Sequence, residues 1–93
     1  MTTENTNLLE RTIALGFEAE EFLKSDIGRY LVARADEEIE CAVEELKGVD
    51  PEDAKAIRAL QGKINVAESI QYWLAEAIQD GANSMQELNE PGA

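Results

Sequence analysis

The residues best suited to chemistry are concentrated in one acidic run, Asp36-Glu37-Glu38-Ile39-Glu40-Cys41-Ala42-Val43-Glu44-Glu45. On a helix, Glu37, Glu40 and Glu44 fall at steps of three and four and share a face. Three carboxylates so placed can hold Mg²⁺ through their oxygens. A metal-dependent hydrolysis is therefore the first chemistry to weigh.

An all-α nucleotide pyrophosphohydrolase needs more than one acidic face. Its ExxE pair works against a second acidic pair on the next helix. Here the stretch from Lys55 to Lys63 is basic or neutral, and Glu68 stands alone. The chain contains no histidine, which removes the Glu-x-x-His di-iron pattern, the usual zinc sites and the histidine-assisted nucleophiles. Gly28, Gly48, Gly62 and Gly81 are isolated and form no phosphate loop. The expectation is a protein that is not an enzyme, with no catalytic residues, no metal site and no cofactor.

Three smaller features carry binding chemistry. Tyr72 and Trp73 have the side chains of an interface anchor, against the alternative, preferred here, that Trp73 packs under the first helix. Gly28-Arg29-Tyr30 could present a helix N-terminus to an anion, but Asp26 already places negative charge there. Gly62 in mid-helix costs ~1 kcal/mol relative to alanine, which a close helix crossing, within the chain or between subunits, would explain. Cys41 is the single cysteine, so no internal disulfide can form, and flanking carboxylates disfavour its thiolate. It reads as a small packing residue.

The elements that must position these residues are helical throughout. Residues 1–7 are polar and expected to be disordered. Leu8, Leu9, Thr12, Ile13, Phe17, Phe22 and Leu23 have helical spacing and predict a helix over about 8–24, bent or broken near Gly16. Ser25 is an N-cap for a second helix over 26–47, with Ile27, Leu31, Ala35, Ile39, Ala42 and Leu46 facing inward. A third helix should run over 51–80, with Ile57, Leu60, Ile64, Ala67, Gln71, Leu74 and Ile78 inward and Gly81 as its stop. The tail, 82–93, is expected to be partly helical or disordered. No strand pattern and no solenoid repeat occur. The fold class is all-α: an antiparallel helical hairpin with a shorter N-terminal helix packed on it, in a single domain over 8–81.

Gly48-Val49-Asp50-Pro51-Glu52-Asp53 is the predicted pivot. Gly48 can end one helix in the left-handed conformation, Asp50 can cap the next, and Pro51 suits a first helical position. Folding the chain between Val49 and Asp50 sets Ala42 against Ile57, Ile39 against Leu60 and Ala35 against Ile64. It also sets Glu44 against Lys55, Glu40 against Arg58 and Asp36 against Lys63, leaving Glu38 and Glu45 unpaired. Helix 3 then overhangs helix 2, ~45 Å against ~33 Å. Trp73, Leu74, Ala77 and Ile78 lie on the overhang, with Phe17, Phe22 and Leu23 of the first helix, or a second subunit, as cover.

Composition narrows the partners. Eight basic against twenty acidic residues, a net charge of −12, argue against direct nucleic-acid binding and against an anionic membrane surface. No apolar run reaches the ~20 residues of a membrane span. Met1-Thr2-Thr3-Glu4-Asn5 has neither a basic nor an apolar region, so no signal peptide is expected. Ninety-three residues bury a limited core and favour self-association, so a homo-oligomer is expected.

Phe22-Leu23-Lys24-Ser25-Asp26-Ile27-Gly28-Arg29-Tyr30-Leu31, then Arg34-Ala35, Val49-Asp50-Pro51 and Trp73-Leu74, resemble small acidic helical proteins encoded by tailed bacteriophages and prophages. The likeness spans about Leu8 to Gly81 and carries no functional residues across. It implies a phage setting, in the virion or the host cytoplasm. The resulting expectation is an interaction protein that docks on a protein partner, a basic one on grounds of charge, as an accessory to virion assembly. Its partner-binding residues are taken as Trp73, Tyr72, Ile78, Glu37, Glu38 and Glu45. The alternative is an acidic inhibitor of a host defence system, acting by nucleic-acid mimicry or by occluding its target.

Overall fold

Ser25 is where the first helix ends and the second begins, and one hydroxyl serves both. Its backbone is extended, its Oγ accepts from the Gly28 N–H at 3.0 Å, and the same hydroxyl donates to the Phe22 carbonyl at 2.5 Å. Gly28 is required at this break, because a Cβ there would run into the Phe22 carbonyl. In the computed structural model, which describes residues 3–90, the chain forms three helices: α1 (Thr3–Lys24), α2 (Asp26–Gly48) and α3 (Ala54–Asn89). With a single residue between them, α1 and α2 make one bent arm. The described residues contain no strand.

The second turn differs from expectation in its capping. Gly48 stays helical without a left-handed backbone, and Val49 ends α2 by turning extended, its N–H reaching the Leu46 carbonyl. Asp50 does not cap a helix: its Oδ1 takes the Glu52 N–H at 2.9 Å and holds a turn through Pro51. Asp53 is the N-cap instead, its Oδ1 accepting from the Ala56 N–H at 3.1 Å. The helix expected from residue 51 therefore starts at Ala54.

This longer connection moves the pivot to Pro51. Buried Ala42 and Leu60 lie nine residues either side of it, and buried Ala35 and Ala67 sixteen either side. The shift of about three residues is close to one helical turn. The expected face of α3, Ile57 to Ile78, therefore still turns inward, with every member buried or half-buried. On α2, however, Ile27 and Leu31 are exposed, a correction to their expected inward placement. The cross-helix charge pairs also do not form. Among the described residues the ion pairs are Arg34–Glu37, Arg34–Glu38 and Lys47–Glu44, all within α2. Across the seam, Asp36 instead accepts from Gln71 Nε2 at 2.8 Å.

Both ends of the molecule are more helical than expected. α1 starts at Thr3, so residues 3–7 of the segment read as disordered are helical, while residues 1–2 lie outside the described part. α1 runs unbroken through Gly16. α3 passes through Gly81 to Asn89 rather than stopping near residue 80, and residues 91–93 of the expected tail lie outside the described part. One contact explains these differences. A Cβ built on Gly16 would stand 3.0 Å from the Ala77 carbonyl oxygen and 3.1 Å from Gly81 Cα. Gly81 is thus a helix-crossing residue, and α1 and the last turns of α3 extend along each other.

α3 packs on both other helices, more extensively on α1 than on α2, while α1 and α2 touch least. The outcome is a slab of 59 × 30 × 18 Å, one long helix lying along a bent arm. Its radius of gyration is 18.8 Å, whereas a compact chain of this length would have about 12 Å. The buried apolar side chains of the described part are Leu9, Ala19, Ala35, Ala42, Leu60 and Ala67, so alanine methyls form most of the interior. Each such methyl contributes only ~0.8 kcal/mol, which makes this a thin core.

Candidate functional site

Because α2 and α3 meet through small residues, their larger apolar side chains are left outside. Leu31 and Ala35 on α2 and Gly62, Val66, Ala67 and Ile70 on α3 line a shallow groove of about 430 Å³. Val66 is 69% and Ile70 44% exposed, so the groove is open to solvent. Exposed Ile27 stands one turn before Leu31, and Trp73 about one turn after Ile70 on the same face, so the stripe continues along the helices.

The rim is less acidic than the chain as a whole. Arg34, Glu38 and Lys63 border the groove, two cations to one anion, in a chain of net charge −12. Arg34 is held along α2 by Glu37 at 3.5 Å and Glu38 at 3.6 Å. Both pairs are exposed and worth ~0–1 kcal/mol, so they orient the guanidinium more than they stabilise the fold.

The residues singled out from the sequence do not gather in one place. Trp73 is 64% exposed and does not pack under α1, which overturns the preferred reading of it. Tyr72 is equally exposed but lies on the other side of the α2–α3 seam from the groove, beside Asp36, Ile39 and Glu68. The Glu76 carboxylate one turn on favours the protonated Tyr72 hydroxyl, as an acceptor and by its charge, and so raises the tyrosine pKa above the usual 10.0. Ile78 is half-buried in the cleft between α1 and α3, beside Ile13 and Phe17. Glu38, expected to be unpaired, is engaged with Glu37 by Arg34. Glu45 lies near the second turn, beside Gly48, Leu60 and Lys63.

Other features resolve similarly. Cys41 is an exposed free thiol, not a packing residue, because Ala42 takes the inward position beside it. The Gly28 N–H is already used by Ser25, which leaves it unsuited to an anion. Among the described residues, no three His, Cys, Asp or Glu side chains converge to hold a metal ion. No described helix is long and apolar enough to cross a membrane.

The groove itself was missed from the sequence. Its signal was a second apolar stripe, Val66, Ile70 and Trp73, beside the inward stripe of the third helix. An apolar surface wider than one seam marks a helix with two contacts to make. No family model, curated protein or solved structure matches this chain.

Proposed function

We propose that this protein acts by docking rather than by catalysis, as a self-associating accessory to virion assembly in a tailed bacteriophage or prophage. The observation that carries the docking reading is the open apolar stripe from Val66 to Trp73 on a chain whose own interior is mostly alanine. Such a surface has a large share of its apolar area still to bury, and contiguous exposed apolar patches mark interaction sites. The elongated slab supports the same reading, since it exposes more surface than a compact chain. The phage setting rests on the resemblance carried by Phe22–Leu31 and Trp73-Leu74.

A photo-crosslinking side chain placed at Val66, with Glu40 as the control, tests the reading in cells that express the phage genes. Adducts heavier than the chain are expected from Val66 and not from Glu40. No adduct from Val66 overturns docking through this surface. The assembly role predicts that the protein co-purifies with particles or their assembly intermediates. Its absence from both overturns that role.

Host-defence inhibition by nucleic-acid mimicry is the second reading, favoured by the exposure of Glu37, Glu38, Glu40, Glu44 and Glu45 along α2. Charge reversal at Glu38 and Glu45 should then abolish inhibition of a target nuclease. Retained inhibition argues against mimicry.

A further inference from the structure

We infer that the groove between α2 and α3 seats a second copy of this chain, with Gly62 at the point where helices of the two copies cross. This rests on the docking reading and names the occupant of that surface. Three observations select a second copy.

The first is area. The chain exposes 6998 Å², whereas a folded monomer of its mass exposes about 5,400 Å². The excess, about 1,600 Å², is roughly twice the ~800 Å² that each partner contributes to a standard interface. A stable dimer is thus within the surface this fold leaves open.

The second is Gly62. The helix interiors of α1 and α3 contain three glycines, Gly16, Gly62 and Gly81. Gly16 and Gly81 touch each other and let α1 and α3 approach closely. Gly62 lines the groove, yet a Cβ there would meet nothing within 4 Å. The chain uses its other mid-helix glycines for a close crossing, and the open space at Gly62 leaves room for one made by a helix from outside.

The third is charge. Two chains of −12 repel each other over most of their surfaces. The groove, where Arg34 and Lys63 offset Glu38 and the adjacent Glu37, is a near-neutral strip where that repulsion is reduced. A near-neutral strip offers a basic partner no charge to select it, so such a partner is drawn instead to the acidic surface elsewhere.

The test is sedimentation equilibrium of the full chain from low to high micromolar concentration, with the helical circular dichroism signal and acrylamide quenching of Trp73, the sole tryptophan, followed in parallel. The expected mass is twice the 10.3 kDa of one chain. Trp73 should be protected at high concentration and become several-fold more quenchable on dilution. The double variant Val66→Glu, Ile70→Glu changes side chains that are exposed in the single chain. It should sediment as a monomer with Trp73 accessible throughout.

A wild-type chain that stays at 10.3 kDa overturns the inference, as does a double variant that still dimerises with Trp73 accessible in both proteins. If the double variant fails to fold, the wild-type quenching decides: no protection of Trp73 in the doubled species overturns this interface. A monomer whose Val66 crosslinks only to a different protein sinks self-association and leaves docking standing. A dimer recovered as the Val66 adduct supports both.

Discussion

The backbones of Gly16 and Gly81 are in contact, with each glycine's α-carbon 3.1 Å from where the other's Cβ would stand. No side chain fits between them, so the distance between α1 and α3 is set by main chain against main chain. Gly16→Leu or Gly81→Leu should push the helices apart and destabilise the fold by about 1–3 kcal/mol, as overpacking does. The improved helix propensity, up to ~1 kcal/mol, offsets only part of this. Thermal unfolding followed by circular dichroism checks it, and an unchanged or higher Tm in both variants would contradict the crossing.

The bend at Ser25 should depend on Gly28 more than on the cap itself. Ser25→Ala removes the hydroxyl that accepts from the Gly28 N–H and should cost about 0.5–2 kcal/mol, the usual range for a lost N-cap. Gly28→Ala also places a methyl against the Phe22 carbonyl, which the bent geometry cannot accept. The expected outcome is a straightened arm with α1 drawn off α3. Small-angle scattering should show a larger radius of gyration for Gly28→Ala than for the wild type, and an equal value would refute the steric account.

Gln71 and Asp36 make a hydrogen bond across the seam at 2.8 Å, and replacing the amide by an acid should turn it into a repulsion. In Gln71→Glu two carboxylates face each other, so their folded-state pKa values rise above the unfolded ones. The sign follows from linkage. Stability equals that of a neutral pair below the ordinary carboxylate range and is lost as pH rises through the raised folded-state values. Denaturation midpoints for this variant should fall, relative to wild type, from acid toward neutral pH. Parallel pH profiles would count against the contact.

Tyr72 should titrate late because of Glu76. That carboxylate favours the protonated hydroxyl as an acceptor, and its negative charge disfavours the phenolate, so the midpoint lies above 10.0. The folded state therefore gains from this contact below the unfolded tyrosine pKa and loses it as pH rises through the folded value. In a Tyr30→Phe background the ultraviolet titration reports Tyr72 alone, and Glu76→Gln should lower the midpoint. No change on removing the carboxylate would sink the assignment.

Three helices are legible in the amino-acid sequence because their causes are local. The apolar steps of three and four along Ile57–Ile78 specify one inward face wherever the helix is placed. Ser25 ends one helix and starts the next with its own hydroxyl. The small-residue seam at Ala35 and Ala42 is visible for the same reason, since periodicity belongs to each helix alone.

What only the tertiary structure decided is how those faces are shared. Glycine serves equally as a helix stop and as a place for close approach. Gly81 took the second role because Gly16 arrives opposite it, a relation across 65 positions that no local signal carries. Asp53 rather than Asp50 caps α3, and that choice moved the register by nearly a turn, kept the apolar faces together and separated the charge pairs. Val66, Ile70 and Trp73 were left outside because the inward stripe beside them is the one that faces α2. A helix's period determines which residues share a face. The partner available at that face is set by the whole fold.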